Sequence, residues 1–448
     1  MFFRSITILF LCFISLLPAS AQAGGRANFW LYGQAFFRFH DDGTKTVTSS
    51  ESGMDLGGTS SFSIAEEDGT PLFVGSGTVV YKVNEGGTPL KLTSSLTSPH
   101  NLPQTAAFLP DSTVVNRLYL IYIDGTTGLK YSTLDASKET VEEIWGQEDA
   151  EIKGTHGSKA ITVADHANKK DVWIISLTSS PYTGPEVTLQ GFEAVLFDGT
   201  SFTRKDIIAP SVAKPIATNS NFKLSPDGKK LVYGYEQDSK IGFVEYDFNN
   251  ETGNITYNRT VEMPATSTTL EGGGIAFSAD GRYLYMGGGN NAGMPEFFQL
   301  DLQNSEATPV AMTVPDLAAN KLIGGGQLAP DGNIYYCIAF QGIASIINSD
   351  KAYDGTDTGA HLSVVAETKV GSAKPGLPLF NQSLLLTKAV IINRDNSNLQ
   401  LKVDTSKLPA GTLDSYGICW TDSGTPTIVS VFLLYCRDKL YYSSICYC

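Results

Sequence analysis

Cysteine is nearly missing from the body of this chain. Of its six, Cys12 lies in an N-terminal apolar run, Cys419, Cys436, Cys446 and Cys448 crowd the other end, and only Cys337 stands between. A disulfide framework is therefore excluded for the central part, whose fold must be held by burial, and Cys337 reads as a small buried apolar residue in a strand. Positive charge is also short: 32 Lys and Arg face 46 Asp and Glu, a net of −14. That balance argues against nucleic acid or an anionic membrane as a partner. No run is long enough to span a bilayer, since Ile6 to Leu17 and Val431 to Tyr435 both fall short of the roughly 20 residues needed. Helical periodicity is hardly visible. The five histidines, His40, His100, His156, His166 and His361, include no pair at a zinc-ligand spacing.

What the chain does have is a repeated turn. Ser225-Pro226-Asp227-Gly228, Ser278-Ala279-Asp280-Gly281 and Ala329-Pro330-Asp331-Gly332 each follow a short apolar stretch and precede one rich in Tyr, Val, Leu and Ile. Asp bonds its own backbone and Gly accepts the left-handed conformation, so each reads as strand, turn, strand. The three aspartates stand 53 and 51 residues apart, too far for one hairpin and right for a four-stranded propeller blade. Weaker copies run backwards through Ala164-Asp165 to Val172, Pro110-Asp111 to Leu118, and Asp68-Gly69 to Leu72. These make six. Asn28 to Gly33 and Phe36 to Phe39, joined by a strand near residues 377 to 386, supply a seventh and close the ring. The fold expected is all-β: a seven-bladed propeller of four-stranded blades over 24–384, with a partial β-sandwich-like segment over 385–448.

Alternation in Leu231-Val232-Tyr233 and Tyr283-Leu284-Tyr285-Met286 supplies both faces of a sheet sandwiched between neighbours. The triplets Gly272-Gly273-Gly274 and Gly324-Gly325-Gly326 precede first strands, where inner strands crowd the axis and backbones must approach closely. A third, Gly287-Gly288-Gly289, runs to Ala292 in the form of a dinucleotide fingerprint, but Gly293-Met294-Pro295 follows in place of a helix, so no cofactor is expected.

At the N-terminus Arg4, the apolar run and Pro18 lead to cleavage sites after Ala21 or Ala23, the pattern of a secretory signal over 1–23. Cys12, behind Phe10 and Leu11, is not a lipid-attachment residue. The protein is expected to be exported.

Asn28 to Gly33, residues 68–81, Gly128 to Ser132, His166 to Trp173, the Ser-Pro-Asp-Gly turn and Gly376-Leu377-Pro378 together resemble the N-terminal propeller of large exported surface proteins of bacteria that use type IX secretion. The resemblance covers roughly 28–383 and departs at Lys169 and Val172, where Gly and an aromatic are expected. It implies a multidomain surface protein with a C-terminal sorting domain, and transfers no catalytic residue. Residues 389–428 are similar to the first strands of a fibronectin type III-like module, too short for a complete sandwich of about 100 residues. From Val429 the tail follows no strand or turn logic and reads as truncated or frame-shifted. Its cysteines, with Cys419, lack the two-residue gap of a zinc site.

Candidates for chemistry mostly dissolve. His166 sits in the turn after Asp165 and reads as a turn-stabilising residue. Ser220 and Lys223 fit a Ser-x-x-Lys pattern, but three apart on a strand they face opposite sides. Asp354-Gly355-Thr356-Asp357-Thr358-Gly359 offers carboxylates in a loop without the closing glutamate of a calcium frame. Asn250, Asn254, Asn258 and Asn381 satisfy glycosylation sequons, without consequence in a bacterial host. The expectation is an exported, non-catalytic interaction module with no catalytic, metal or cofactor residues, taking a protein or glycan ligand in adhesion or polymer binding. The alternative is an extracellular propeller enzyme, a lactonase or glycan-cleaving one, with its site at the central channel mouth.

Overall fold

The computed structural model describes residues 23–366, Leu377, and the strands Ala389–Arg394 and Leu399–Val403, except 33–34, 41–43, 50–53, 55–60, 67–68, 77–78, 84–88, 93–103, 112, 125–127, 156–157, 169, 180–186, 206–207, 209, 211, 213, 217–221, 239, 265–266, 270–273, 291–294, 315–322 and 339–341. It is an all-β, seven-bladed propeller of antiparallel blades.

Blade 1 holds strands Phe29–Tyr32, Ala35–Phe39 and Lys45–Ser49. Blade 2 runs from Ser61–Ala65 to Leu90–Leu92 and blade 3 from Ala106–Pro110 to Ala150–Glu151. Blade 4 runs from Ser158–Asp165 to Phe202–Arg204, and blade 5 from Phe222–Leu224 to Ile255–Glu262. Blade 6 begins with Ser267–Thr269 and Ile275–Phe277, which share one edge of Tyr283–Asn290, and ends at Val310–Met312. Blade 7 runs from Ile323–Leu328 to His361–Ala366. All six expected turns join the first two strands of blades 2 to 7. Gly228, Gly281 and Gly332 have φ of 66°, 70° and 79°, the region that favours glycine.

The blades are held by shared apolar clusters, and strand alternation decides who shares what. In the second strand of blade 3, Leu118, Leu120 and Tyr122 pack with blade 2, while Tyr119, Ile121 and Ile123 pack with blade 4. Leu231 and Tyr233 of blade 5 face blade 4 and Val232 faces blade 6; Tyr283 and Tyr285 face blade 7 and Leu284 and Met286 face blade 5. This is the two-faced burial that the alternation predicts.

Blade 1 closes the ring. Phe29 and Leu31 join blade 2, and Trp30, Phe37 and Phe39 join blades 6 and 7. The Tyr335 ring lies 5.7 Å from Trp30 and 5.6 Å from Phe39, both edge-on, a geometry aromatic pairs favour. Lys45 donates to the Tyr335 hydroxyl at 2.9 Å. Of the strand expected near 377 to 386, Leu377 is described: it is buried in the same cluster, and the rest lies outside the described residues. Cys337 is buried in a strand of blade 7, as expected.

One connection has no signature in the sequence. The strand Val187–Phe197 of blade 4 runs on past its neighbour and pairs with Pro215–Ile216, and Ile216 pairs with Tyr235 of blade 5, so the two blades form one continuous sheet. Beyond the ring, Ala389–Arg394 and Leu399–Val403 form an antiparallel hairpin, and the remaining expected module lies outside the described residues. Among the described residues no helix is long and apolar enough to cross a membrane.

Candidate functional site

The axis of the ring is where the repeat departs most from its own pattern. Four residues before the turn aspartates of blades 2 to 7 stand Ile64, Ala107, Ile161, Lys223, Ala276 and Gln327. Four are apolar, as a crowded inner strand requires. Lys223 is not, and it is 2% exposed. Its Nζ donates to Oε1 of the buried Gln327 at 2.8 Å, a bond from blade 5 to blade 7 over blade 6, where the small Ala276 occupies this level. Gln104 crosses similarly from blade 3 to blade 5. Its amide donates to the Phe222 carbonyl at 3.0 Å and accepts from the Phe222 amide at 2.8 Å, while its own carbonyl accepts from Ile161 of blade 4 at 2.9 Å. Both sets of bonds join blades that are not neighbours in the ring.

Lys223 finds a neutral amide and no carboxylate among these partners. Burial favours the uncharged amine and pulls its pKa down to about 7, against a smaller upward effect of the Cys337 thiol. Other ionic groups tie strands together. Glu245 is held by Lys230 and, at 2.7 Å, by Arg259, whose second nitrogen reaches the Ser305 carbonyl of blade 6 at 2.9 Å. Lys130 bridges Asp124 at 2.7 Å and Asp149 at 3.1 Å, and buried Lys82 of blade 2 reaches Glu139 of blade 3 at 2.9 Å.

A pocket of about 560 Å³ opens between blades 2 and 3 on the rim that bears the turns. Its walls carry Arg26 from the N-terminal turn, Glu66 and Leu72 from blade 2, and Asp111, Val115 and Arg117 from blade 3. Leu118 and Ala136 add apolar lining. The blade 3 turn differs from its counterparts. Where blades 5 to 7 use a tight Asp-Gly turn, blade 3 runs from Pro110 to Arg117 through Val114 and Val115, which are 38% and 85% exposed. Asp111 organises that loop: its Oδ1 accepts from the Thr113 amide and hydroxyl, both at 2.7 Å, and from the Val114 amide at 3.0 Å. Burial pushes the Asp111 carboxyl up, but the bonds from Thr113 and Val114 and the Arg117 charge outweigh it and hold the pKa below the usual value. Arg117 lies over Asp111 Oδ2 at 3.6 Å with its own side chain 46% exposed, and the carboxylate beneath is fully covered.

Of the residues the sequence singles out, His166 serves as a tie. Its Nδ1 accepts from the Asn168 amide at 3.1 Å and its Nε2 donates to the Glu251 carbonyl of blade 5 at 2.9 Å, so both ring nitrogens are engaged. His40 bonds Thr46 at 2.9 Å and His361 bonds the Gly359 carbonyl at 3.1 Å. Ser220 lies outside the described residues, and only Lys223 of that pair is placed. Asp354 Oδ1 accepts from the Thr356 amide at 2.8 Å and hydroxyl at 2.7 Å. The bond from the Thr356 hydroxyl, then that from its amide, lowers the Asp354 pKa. Among the described residues no three His, Cys, Asp or Glu come together as metal ligands. Cys419, Cys436, Cys446 and Cys448 lie outside them. Gly287 to Gly289 sit inside a blade 6 strand, where a Cβ on Gly287 would lie 2.6 Å from Ile323 of blade 7, so Gly287 serves packing.

The sequence reading sets Lys223 aside with Ser220 and misses Gln327 and Gln104. The signal available was register, since aligning the inner strands on their turn aspartates exposes a lysine and a glutamine in a column of small and apolar residues.

No family profile and no curated protein matches the sequence. Solved structures are similar in fold. A protein from Lactobacillus plantarum is 13% identical, covering 79% of this chain and 98% of its own, with a TM-score of 0.46. A 6-phosphogluconolactonase-like protein from Bacteroides fragilis is 13% identical, covering 77% and 96%, at 0.45. Hydrazine synthase of Kuenenia stuttgartiensis is 15% identical, covering 68% and 81%, at 0.42. At these identities the likeness is one of fold alone.

Proposed function

We propose that this chain is the propeller of an exported surface protein and that it binds a protein or glycan ligand, without turnover, through loops on one rim of the ring. The observation that carries this reading is the bridged axis. Propeller loops present ligands with a rigid platform, and the remaining open surfaces are the rims. The bonds from Lys223 to Gln327 and from Gln104 to Phe222 tie together blades that are not neighbours, which favours the rims over the axis as the place for a ligand. The N-terminal signal, secretion by the type IX route, the truncated fibronectin type III-like segment and a role in adhesion or extracellular polymer binding belong to the same reading.

A second reading, an extracellular lactonase or glycan-cleaving enzyme at the channel mouth, draws on Lys223, because an amine with a pKa about 7 is poised for proton transfer. The full chain, applied to a glycan and matrix-protein array beside chromogenic lactone, phosphoester and glycoside substrates, decides between them. Binding without turnover is expected. Turnover that disappears in a folded Lys223→Met would establish the enzyme.

A further inference from the structure

We propose that the outer strand of blade 1, Lys45–Ser49, pairs antiparallel with the same strand of a second copy of this chain, about a two-fold axis through Val47. This goes beyond the binding-module reading and does not depend on it.

The outward edge of that strand is bare. The register of blade 1 sets Phe39 against Lys45, Phe37 against Val47 and Ala35 against Ser49. The Phe39 amide points away from Lys45, to the Asn28 carbonyl at 2.8 Å, and the next amide, of His40, donates to the Thr44 carbonyl at 2.9 Å. Antiparallel ladders alternate, so Thr46 and Thr48 bond the neighbouring strand Ala35–Phe39, while Lys45, Val47 and Ser49 turn their amides and carbonyls outward. Among the described residues no strand lies beyond them. Val47 also leaves its side chain 38% exposed, one of the four large hydrophobic side chains so placed among the described residues.

The ring has seven such outer edges, and the other six are blunted. Blades 2, 3, 4 and 6 end in strands described over two or three residues. The eight residues of Ile255–Glu262 in blade 5 are interrupted by an extra residue at Asn258, and Arg259 turns its charge inward onto Glu245. The register of His361–Ala366 in blade 7 shifts as well. Short strands, bulges and inward charges are the means by which sheet edges avoid one another. Blade 1 uses none of them. Its outer strand is continuous in register, has no proline and is rich in β-branched residues, and its one charge is held off the edge, where Lys45 Nζ donates to the Tyr335 hydroxyl of blade 7 at 2.9 Å.

The sequence of the strand is complementary to itself. A two-fold axis at Val47 sets Val47 against its copy, Lys45 against Ser49 and Thr46 against Thr48. Outward-facing residues then meet outward-facing residues, which gives about six backbone hydrogen bonds. Thr pairs are favourable cross-strand neighbours, and each Val47 covers the other. Moving the axis to Lys45 would oppose two ammonium groups, so charge selects the register. The chain as a whole is acidic, at −14, yet this strand carries no carboxylate to repel its copy. Five residues bury little surface, which places the dimer among weak interfaces of under about 1,200 Å².

Sedimentation velocity of the full chain is expected to show a monomer at about 1 μM and a growing dimer fraction towards about 500 μM, strengthened by salt that screens the net charge. Hydrogen exchange over the same range should slow at the amides of Lys45, Val47 and Ser49 and stay unchanged at Thr46 and Thr48, which are already bonded within the blade. Val47→Lys and Val47→Glu each set like charges face to face and should weaken the dimer about tenfold or more, whereas the two mixed should form a heterodimer tighter than either alone. Val47→Pro removes only an outward N–H and should be monomeric with a melting temperature near that of the parent. A monomer at every concentration, a dimer that survives Val47→Lys, or a mixture of the Lys and Glu variants that stays monomeric would overturn the pairing. The ligand array is untouched by these outcomes, so the binding-module reading stands or falls separately.

Discussion

Between neighbouring blades the ring is filled by Leu, Ile, Val and aromatic side chains; at its axis it places a lysine and two glutamines. The two regions are buried to similar degrees, yet the interfaces gain from every side chain they cover, while the axis covers an amine that water would solvate better. The difference teaches that the ring is closed by its interfaces and that the axis is carried by them. A buried amine facing one neutral amide costs stability in its charged form. It persists because apolar burial around the whole circumference exceeds that cost.

The largest effect should come from breaking an interface. Deleting residues 28–48 removes Phe29, Trp30, Leu31, Phe37 and Phe39, all at most 5% exposed, from the clusters that join blades 7, 1 and 2. At roughly 1.5–3 kcal/mol for each large apolar side chain, the loss is of the order of the entire stability of a folded domain. It also opens two blade faces and their edges to solvent. The expected product is aggregated or oligomeric by size-exclusion chromatography. A monomer with an unchanged melting temperature would show that blade 1 does not close the ring.

The axis should respond in the opposite direction. The folded protein gives up the Lys223 proton near pH 7, and the unfolded chain keeps it to about 10.5. Between those values the unfolded chain binds more protons, so stability rises with pH, by about 4–5 kcal/mol when the shift is taken in full. The rise ends near pH 10. There tyrosines begin to ionise in the unfolded chain, while burial pushes Tyr233 and Tyr235 up to about 12, so stability falls again. Lys223→Met should therefore be more stable than the parent at pH 6 and lose the rise between pH 7 and 9. Chemical denaturation across that range measures both. A flat profile in the parent would mean that the amine is solvated or paired.

Much of this architecture is legible in the sequence because it rests on local chemistry. Asp227, Asp280 and Asp331 mark their turns through bonds to the next residues, and alternation in Tyr283 to Met286 assigns faces without knowledge of the partner. The close approach foreseen for the glycine triplets holds where it is described, since a Cβ on Gly274 would stand 2.3 Å from the Gly324 carbonyl of the next inner strand. What stays hidden depends on distance across the ring. Lys223 was weighed against Ser220, three residues away, whereas its partner is Gln327, 104 residues on. Gln104 joins blades that no local pattern connects. The rim pocket depends on Arg26, Glu66 and Arg117 meeting from three elements, and only the length of the Pro110 to Arg117 turn hints at it.

The inner strands allow a sharper test of crowding near the axis. Gly274→Ala forces a methyl against backbone of blade 7, which cannot rotate away, and should cost about 2–3 kcal/mol as overpacking. A loss under about 0.5 kcal/mol, of the size seen at open surface positions, would mean that the strands can separate there.

The smallest effect isolates backbone conformation from packing. A Cβ on Gly281 would meet nothing nearer than Pro226 at 3.9 Å, so space is not limiting. Its φ of 70° remains, and a β-branched residue is strained there whatever surrounds it. Gly281→Val should cost about 1–3 kcal/mol, and Gly281→Asn, which tolerates the left-handed region, clearly less. Both substitutions share the same part-buried surroundings beside Pro226 of blade 5, so the difference between them reports conformation. Equal melting temperatures for the Val and Asn variants would mean that the turn relaxes out of the left-handed region, and that the repeat is held in register by its interfaces without help from its turns.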